Sequence, residues 1–189
     1  MDRLLFIDAE TGGLDSQIHS LLSLGLVVWD KNDGILYKRE ICQKLDRYET
    51  TEEALQINHF SVANYNTSDI LTANEIHNVI VSIAKKYFPT EKKLPLAGHN
   101  VQFDFSFLKK MYLNAGLKYE EIFAHRMVDM FSILQYLIHL KLIPESISNS
   151  TKAFEYFDIT VNGRHTAMGD AVATAELYTK LLQYAENKL

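Results

Sequence analysis

The stretch LLFIDAETGGLD, residues 4–15, runs four apolar residues directly into two carboxylic acids, Asp8 and Glu10. Alternate residues of a strand project from the same face, so a strand here would place the two carboxylates side by side. Two like unit charges about 4 Å apart repel by about 4 kcal/mol at an effective dielectric of about 20, and such a pair normally shares a proton or a cation. We therefore expect the pair to meet a partner from elsewhere in the chain.

The first part of the chain carries the pattern of an antiparallel sheet. Apolar runs and turn residues predict strands at 3–9, 21–30 and 35–41. Asp33 and Gly34 lie between the second and third strands and are typical of a hairpin turn. The chain is therefore predicted to begin with three antiparallel strands.

The rest of the chain alternates a short strand with helices. We predict a strand at 94–98 and helices at 72–88, 101–115, 127–142, 148–157 and 167–187. Thr72 and Glu75 form the pattern of a capping box, and Gly116 is typical of the residue after a helix. The polar run 144–152 is expected to be a mobile loop. Strands first and alternation later predict an α/β fold with a mixed central sheet, three antiparallel strands followed by parallel additions, flanked by helices.

Composition narrows the class of protein. The 189 residues, 47% of them hydrophobic, predict one domain over 1–189. The longest apolar run, 21–29, is shorter than the roughly 20 residues of a membrane span, and no signal peptide is recognisable. The single cysteine, Cys42, is typical of a reducing compartment, so we expect a cytoplasmic protein without a membrane partner. A net charge of −5 disfavours contact with a long stretch of nucleic-acid backbone. It is compatible with an enzyme that binds a few phosphates through bound cations.

Two further acids, Asp104 and Asp170, are predicted near the starts of helices, and His165 lies five residues before Asp170. A helix N-terminus favours the ionised carboxylate that metal binding requires. Together with Asp8 and Glu10, these side chains could surround Mg²⁺ or Mn²⁺, which prefer oxygen ligands. Two such ions about 4 Å apart activate water and stabilise the leaving oxygen in phosphodiester cleavage, and a histidine can take the proton of the water.

Each of these residues also has a purely structural interpretation. A lone Asp-x-Glu at a strand end is most often a solvated edge, and a carboxylate at a helix start is favourable without any metal. His165 could be an ordinary loop residue. The other histidines show no zinc-cluster spacing and are interpreted as structural by default; they are His19, His59, His77, His99, His125 and His139.

The joint pattern resembles the DEDDh exonucleases, the ribonuclease H-like group that includes bacterial polymerase proofreading subunits, ribonuclease T and oligoribonuclease. The matching segments are FIDAETGGLD, GHNVQFD and HTAMGD, in the order of the family and over nearly the whole chain. His165 and Asp170 have the histidine-x4-aspartate spacing of the family. The departures are Gly12 and Gly13, where proofreading subunits often carry Thr-Gly, and the lack of a long basic segment.

This resemblance implies a ribonuclease H-like fold and a metal-dependent 3′→5′ exonuclease that releases nucleoside 5′-monophosphates from single-stranded DNA or RNA. Asp8, Glu10 and Asp170 would hold the ion that carries the attacking water. Asp8 would also bind the second ion, which Asp104 would support directly or through water. His165 would be the general base.

The resemblance also implies a pocket for the 3′ end of a strand. Leu14 would pack against the terminal base, and the backbone around Thr11 and Gly12 would meet the end of the strand. His99 and Phe103 would line the pocket. For Leu14 and Phe103, ordinary core packing is the alternative.

Several functions remain open at this point. An oligoribonuclease-like enzyme would act on short RNA, whereas a proofreading enzyme would need a DNA polymerase partner. The motifs do not disclose the contacts that read a 2′-hydroxyl, so DNA and RNA both remain possible substrates. A phosphohydrolase of small esters would share the metal chemistry. A non-catalytic binding module on the same fold is disfavoured, because all five motif residues are present.

Overall fold

The computed structural model describes residues 2–147 and 149–188, and a six-stranded mixed sheet lies at the centre. The strands are β1 (Arg3–Thr11), β2 (Leu21–Asp30), β3 (Gly34–Gln43), β4 (Ile70–Leu71), β5 (Leu96–Gly98) and β6 (Val128–Asp129). Their spatial order is β4-β3-β2-β1-β5-β6. The first three strands pair antiparallel, and β4, β5 and β6 are each added in parallel. The predicted mixed sheet is confirmed.

Helices cover both faces of this sheet. Within the described ranges they are α1 (Glu52–Asn58), α2 (Ala73–Tyr87), α3 (Val101–Asn114), α4 (Tyr119–Ile122), α5 (Met130–His139), α6 (Ser150–Tyr156) and α7 (Ala167–Glu186). One core lies between the sheet and α2 and α3, and a second lies between the sheet and α5, α6 and α7. None of the helices in residues 2–147 and 149–188 has the length and apolar character that a bilayer span requires.

Strand β1 is buried on both faces because it lies inside the sheet. Leu5 and Ile7 pack into the core beneath α2 and α3, whereas Leu4 and Phe6 pack into the core beneath α5, α6 and α7. Side chains alternate along a strand, so Asp8 and Glu10 continue the face of Leu4 and Phe6. The two carboxylates therefore point toward the layer that contains α7.

A glycine allows α7 to approach the sheet at this point. Gly25 of β2 is the register partner of Asp8, and a Cβ atom added to Gly25 would lie 2.1 Å from the carbonyl oxygen of Ala167. Any side chain at position 25 would push the first turn of α7 away from β1. The Thr166 hydroxyl caps this turn by accepting a hydrogen bond from the amide of Gly169.

The predicted helix over 127–142 is wrong at both ends. Its first part, Val128–Asp129, is strand β6, because it pairs in parallel with β5, and α5 begins only at Met130. The helix stops at His139. The apolar pattern extends beyond the helix because the flanking residues also contribute side chains to the core or its edge, including Val128 and Ile143.

The region after α5 partly contradicts the predicted loop at 144–152. Residues 150–152 form the first turn of α6, whose Asn149 cap accepts a hydrogen bond from Lys152, so the loop prediction is wrong there. The predicted short helix near 148–157 is confirmed as α6, although residue 148 lies outside the described residues.

Sequence reasoning missed α1, α4, β4, β6 and two single 3₁₀ turns, Val62–Asn64 and Thr67–Asp69. These elements are short, and neither α1 nor α4 has a buried residue. Without buried positions there is no apolar periodicity for a sequence pattern to detect.

Candidate metal centre

Three carboxylates meet at the end of the sheet. Asp8 and Glu10 come from β1, and Asp170 comes from the first turn of α7. Each offers an oxygen, and these oxygens all lie within 4.8 Å of one another. Asp170 is buried, and the other two are half-buried. We call these three residues the acid group. Asp170 is a partner from elsewhere in the chain, as expected for the Asp8 and Glu10 pair.

Asp104 lies beside the acid group rather than within it. It belongs to the first turn of α3 and is only 5% exposed. Its Oδ1 atom accepts a hydrogen bond of 2.9 Å from the backbone N–H of Ala9. One carboxylate oxygen is thus engaged by β1, which leaves Oδ2 for another partner.

The acids perturb one another strongly. Burial raises the pKa of Asp8 well above its ordinary value, and the charges of Asp104, Asp170 and Glu10 raise it further. Burial, followed by the charge of Asp170, raises the pKa of Glu10 to about 7. Burial raises the pKa of Asp104 to about 8, against the hydrogen bond from Ala9. Without a compensating cation, these side chains hold protons that an exposed carboxylic acid would release.

The donor set fits a hard divalent cation. Oδ1 of Asp170 is buried and has no hydrogen-bond partner among the described residues. The Nη1 atom of Arg164 lies 2.5 Å from this oxygen as an ion pair. Oxygen-only ligands with an unsatisfied buried carboxylate oxygen are the environment that Mg²⁺ and Mn²⁺ prefer.

His165 lies at the rim of this site and is exposed. It has a φ of 62°, in the left-handed region that is uncommon for residues other than glycine. It lines a depression of about 160 Å³ together with Glu10, Glu40 and Tyr65. The structure therefore brings His165 near Glu10, but it does not bring it into the acid group.

Sequence reasoning missed Glu40, which lies in the same row of the sheet as Asp8. Gly25 pairs with Asp8 on one side and with Glu40 on the other. The Glu40 carboxylate accepts a hydrogen bond of 2.8 Å from the Tyr65 hydroxyl, and its charge contributes to the raised pKa of Glu10. The pairing of Gly25 with Glu40 could not be obtained by counting residues back from the hairpin turn, because a bulge between Val28 and Trp29 shifts the register of β2 and β3.

Asp129, also missed, joins the starts of two helices. Its Oδ1 atom accepts a hydrogen bond of 2.6 Å from the amide of Asn100, just before α3. Its Oδ2 atom accepts hydrogen bonds from the amide and hydroxyl of Ser132 in α5. By fixing the start of α3, this carboxylate helps to position Asp104 at the site. The signal was hidden because the apolar pattern placed Asp129 inside a helix.

A cavity of about 400 Å³ adjoins the acid group. Leu14 stands at its edge and is 87% exposed, so the core-packing alternative for Leu14 is wrong. Phe103 is half-buried, packs 5.2 Å from the Phe107 ring and also lines the cavity. The cavity is lined by Ala9, Glu10, Thr11, Gly13, Leu14, His19, Thr51, Glu53, Ala54, Ile57, Asn58 and Phe103.

Gly12 is buried beside this cavity and is not part of its lining. Its amide donates to the carbonyl of Ser20, and its carbonyl accepts from the amide of Thr51. A Cβ atom at this position would lie 2.1 Å from the carbonyl oxygen of Glu49. Gly12 thus allows the segment that leads into α1 to pack against the end of β1, and α1 forms one wall of the cavity.

His99 also lies outside the cavity lining. It follows β5 and packs edge-on against Phe131, with ring centroids 6.1 Å apart. Its Nδ1 atom is buried without a hydrogen-bond partner among the described residues. Burial lowers the pKa of His99, against the opposing charge of Asp129.

Comparison with known proteins identifies an oligoribonuclease and a DNA polymerase subunit among the relatives. The chain is 25% identical over 140 residues to an oligoribonuclease of Corynebacterium glutamicum, which covers 70% of this chain and 61% of that protein. It is 26% identical over 177 residues to DNA polymerase III subunit epsilon of Treponema pallidum, which covers 94% of this chain and 75% of that protein. The chain thus spans about three fifths of the length of the oligoribonuclease.

Solved structures share the fold. The nuclease domain of 3′hExo, a DEDDh family member bound to rAMP, superposes with a TM-score of 0.75 at 17% identity, over 96% of this chain and 92% of that one. Escherichia coli exonuclease I in complex with a dT13 oligonucleotide gives a TM-score of 0.76 at 18% identity, over 100% of this chain and 42% of that one. The predicted ribonuclease H-like fold is confirmed by these neighbours.

The sequence profile of one family matches most of the chain. This family is described as exonuclease, of the RNase T type, and the match covers residues 5–178. The matched region includes every residue of the acid group, Asp104 and His165. The resemblance to exonucleases is therefore confirmed, and the chain belongs to the RNase T exonuclease family.

Proposed function

We propose that this protein is a metal-dependent 3′→5′ exonuclease that hydrolyses single-stranded DNA or RNA from the 3′ end and releases nucleoside 5′-monophosphates. The observation that carries the proposal is the acid group, three carboxylates within 4.8 Å of one another. Carboxylates this close can all be ionised only when a cation compensates their charge, and the pKa of Glu10 is already raised to about 7. The adjoining cavity supplies room for the end of a strand.

The acid group would hold the first of two Mg²⁺ or Mn²⁺ ions. Asp8 would be shared with the second ion, and Asp104 would face that ion through Oδ2, directly or through water, because Ala9 engages Oδ1. Bound ions of this kind supply activation of a water molecule and stabilisation of the leaving oxygen. The contribution of the chain is to fix the carboxylates on β1, α3 and α7 so that little reorganisation is needed.

His165 is proposed as the general base that takes the proton of the attacking water. Its exposed position on the loop before α7 leaves the imidazole free to turn toward Glu10, with which it shares a depression. A positioned base typically contributes a factor of about 10² to 10⁴ to the rate.

The cavity is proposed to bind the terminal nucleotide. Leu14 and Phe103 would place apolar surfaces against the base, and the backbone at Thr11 would meet the 3′ end. Stacking of this kind accepts any base, because every base has a π-face. A volume of about 400 Å³ lies in the usual range for small-ligand pockets. Gly12 would contribute to nucleotide binding indirectly, by allowing α1 to form a wall of the cavity. His99 would contact the nucleotide from outside the cavity, on the side of α5.

Short RNA is the second candidate substrate. It is favoured by the relatives named oligoribonuclease and by the net charge of −5, which suits a small footprint on nucleic acid. The relative named as DNA polymerase III subunit epsilon favours DNA, and in that case a DNA polymerase is the proposed partner. A cytoplasmic location is proposed for either role.

The direct test uses 5′-labelled DNA and RNA oligonucleotides of several lengths with Mg²⁺ or Mn²⁺. We expect a ladder of products that shortens from the 3′ end, with nucleoside 5′-monophosphates as the other product. Circular single strands and 3′-phosphorylated oligonucleotides should resist, because a free 3′ end must enter the cavity. The Asp8→Asn variant serves as the inactive control.

Three results would contradict this proposal. Nicking of the circle would indicate an endonuclease. Hydrolysis of a mononucleotide ester but of no oligonucleotide would indicate a phosphohydrolase. Binding of single strands without cleavage by the metal-loaded protein would indicate a non-catalytic module.

A second prediction concerns stability, metal and pH. The folded metal-free protein retains protons on Glu10 and Asp104 up to about pH 7 and 8, whereas the unfolded chain releases them near the ordinary values of 4.5 and 3.8. The free energy of unfolding of the metal-free protein should therefore fall as the pH rises from the pKa values of the unfolded chain to those of the folded protein. Mg²⁺ should raise the melting temperature more at pH 8 than at pH 5, because it binds the ionised acids.

Melting in chelator and in excess Mg²⁺ at both pH values measures this effect. Asp170→Asn provides the matched control, since the near-isosteric amide removes one charge and should reduce the metal-dependent shift. An equal Mg²⁺ shift at pH 5 and pH 8, or none at either pH, would be incompatible with a metal site built on these acids.

A third prediction separates catalysis from metal binding. His165→Ala should lose a factor of about 10² or more in rate, yet it should keep the stabilisation by Mg²⁺, because the carboxylates remain. Added imidazole should restore part of the lost rate. His125→Ala, which removes an exposed histidine from a different loop, is the control and should be as active as the native protein. Near-native turnover by His165→Ala would show that His165 is only a loop residue.

A further inference from the structure

A guanidinium group already lies against the acid group. Arg164 Nη1 is 2.5 Å from Oδ1 of Asp170, and the Arg164 charge also opposes the raised pKa of Asp8 and Glu10. The Asp170 oxygen is otherwise buried and accepts no hydrogen bond from the described residues, so the contact is an ion pair without an aligned N–H donor. Arg164 thus compensates acid charge in the metal-free protein.

Arg164 also has partners outside the acid group. Its Nη2 atom donates to the Thr151 hydroxyl at 2.9 Å and to the Ser150 hydroxyl at 3.3 Å. Its guanidinium carbon lies 5.6 Å from the centre of the Phe154 ring. All three partners belong to α6, so the position of the guanidinium does not depend on Asp170 alone.

A divalent ion and this guanidinium would compete for the same oxygen. Mg²⁺ binds carboxylate oxygens at about 2.1 Å, so an ion on Oδ1 of Asp170 would lie no more than about 4.6 Å from Nη1 of Arg164. The repulsion between a divalent and a monovalent cation is twice that of two unit charges at the same distance. This repulsion favours the departure of one of the two cations from the oxygen.

We propose that Arg164 is a displaceable counter-ion of the metal site, which a divalent ion drives off Asp170 when it binds. The contacts with α6 keep the released guanidinium at the edge of the site. The inference rests on the proposed function, since it presupposes that the acid group binds a divalent ion.

Two measurable consequences follow from this competition. Arg164 stabilises the metal-free protein, and it weakens the binding of metal. A residue that merely oriented Asp170 for the ion would have the opposite effect on binding, because its loss would weaken the metal site. The direction of the change in affinity therefore distinguishes the two roles.

The experiment measures Mn²⁺ binding to the purified protein by calorimetry, without nucleic acid. Arg164→Gln should bind Mn²⁺ about tenfold or more tightly than the native protein, and its melting temperature in chelator should be lower. Arg3→Gln is the matched control, because it removes an arginine from the ion pair with Asp30 at the opposite end of β1. Its Mn²⁺ affinity should change by less than about twofold.

Unchanged or weaker Mn²⁺ binding by Arg164→Gln would overturn the inference, while Mn²⁺ binding by the native protein would still support the proposed metal site. Absence of Mn²⁺ binding in the native protein would overturn the metal site itself.

A second measurement does not depend on the variant being folded. In the native protein with ¹⁵N-labelled arginine, the Arg164 guanidinium resonances should shift during a Mg²⁺ titration, with the midpoint that calorimetry with Mg²⁺ gives for binding. Resonances that stay unchanged at saturating Mg²⁺ would overturn displacement.

Discussion

Repulsion among buried carboxylates is the constraint on which the rest of this structure depends. Asp8, Glu10 and Asp170 are held within 4.8 Å of one another, with Asp104 alongside. Hydrophobic packing of β1 and α7 imposes this proximity, since Phe6 of β1 and Ala171 of α7 are buried in the same core. The charge is compensated by protons, by the Arg164 guanidinium, and in the proposed enzyme by divalent ions.

Several residues outside the acid group make this proximity possible. Gly25 lets the first turn of α7 touch β2, and the amide of Ala9 holds Asp104 against β1. Asp129 ties the start of α3 to the start of α5. These contacts fix the distances between acids that come from separate parts of the chain, so the site is built into the scaffold rather than assembled from mobile loops.

The sequence predicted those parts of the site that depend on local geometry. Strand parity placed Asp8 and Glu10 on one face, and helix starts placed Asp104 and Asp170 near positive dipole ends. What could not be predicted depends on long-range pairing. The β-bulge at Val28 and Trp29 brings Glu40 into the row of Asp8, and α1 has no buried residue to reveal it. Asp129 was misplaced because β6 continues the apolar pattern of α5.

The central claim is that the acid group binds divalent metal, and anomalous diffraction from crystals soaked in Mn²⁺ tests it most directly. We expect a Mn²⁺ peak within coordination distance of oxygens from Asp8, Glu10 and Asp170, with Arg164 moved off Asp170, and a second peak between Asp8 and Asp104. Crystals that hold Mn²⁺ elsewhere but none at the acid group, with the Arg164 ion pair intact, would contradict the account.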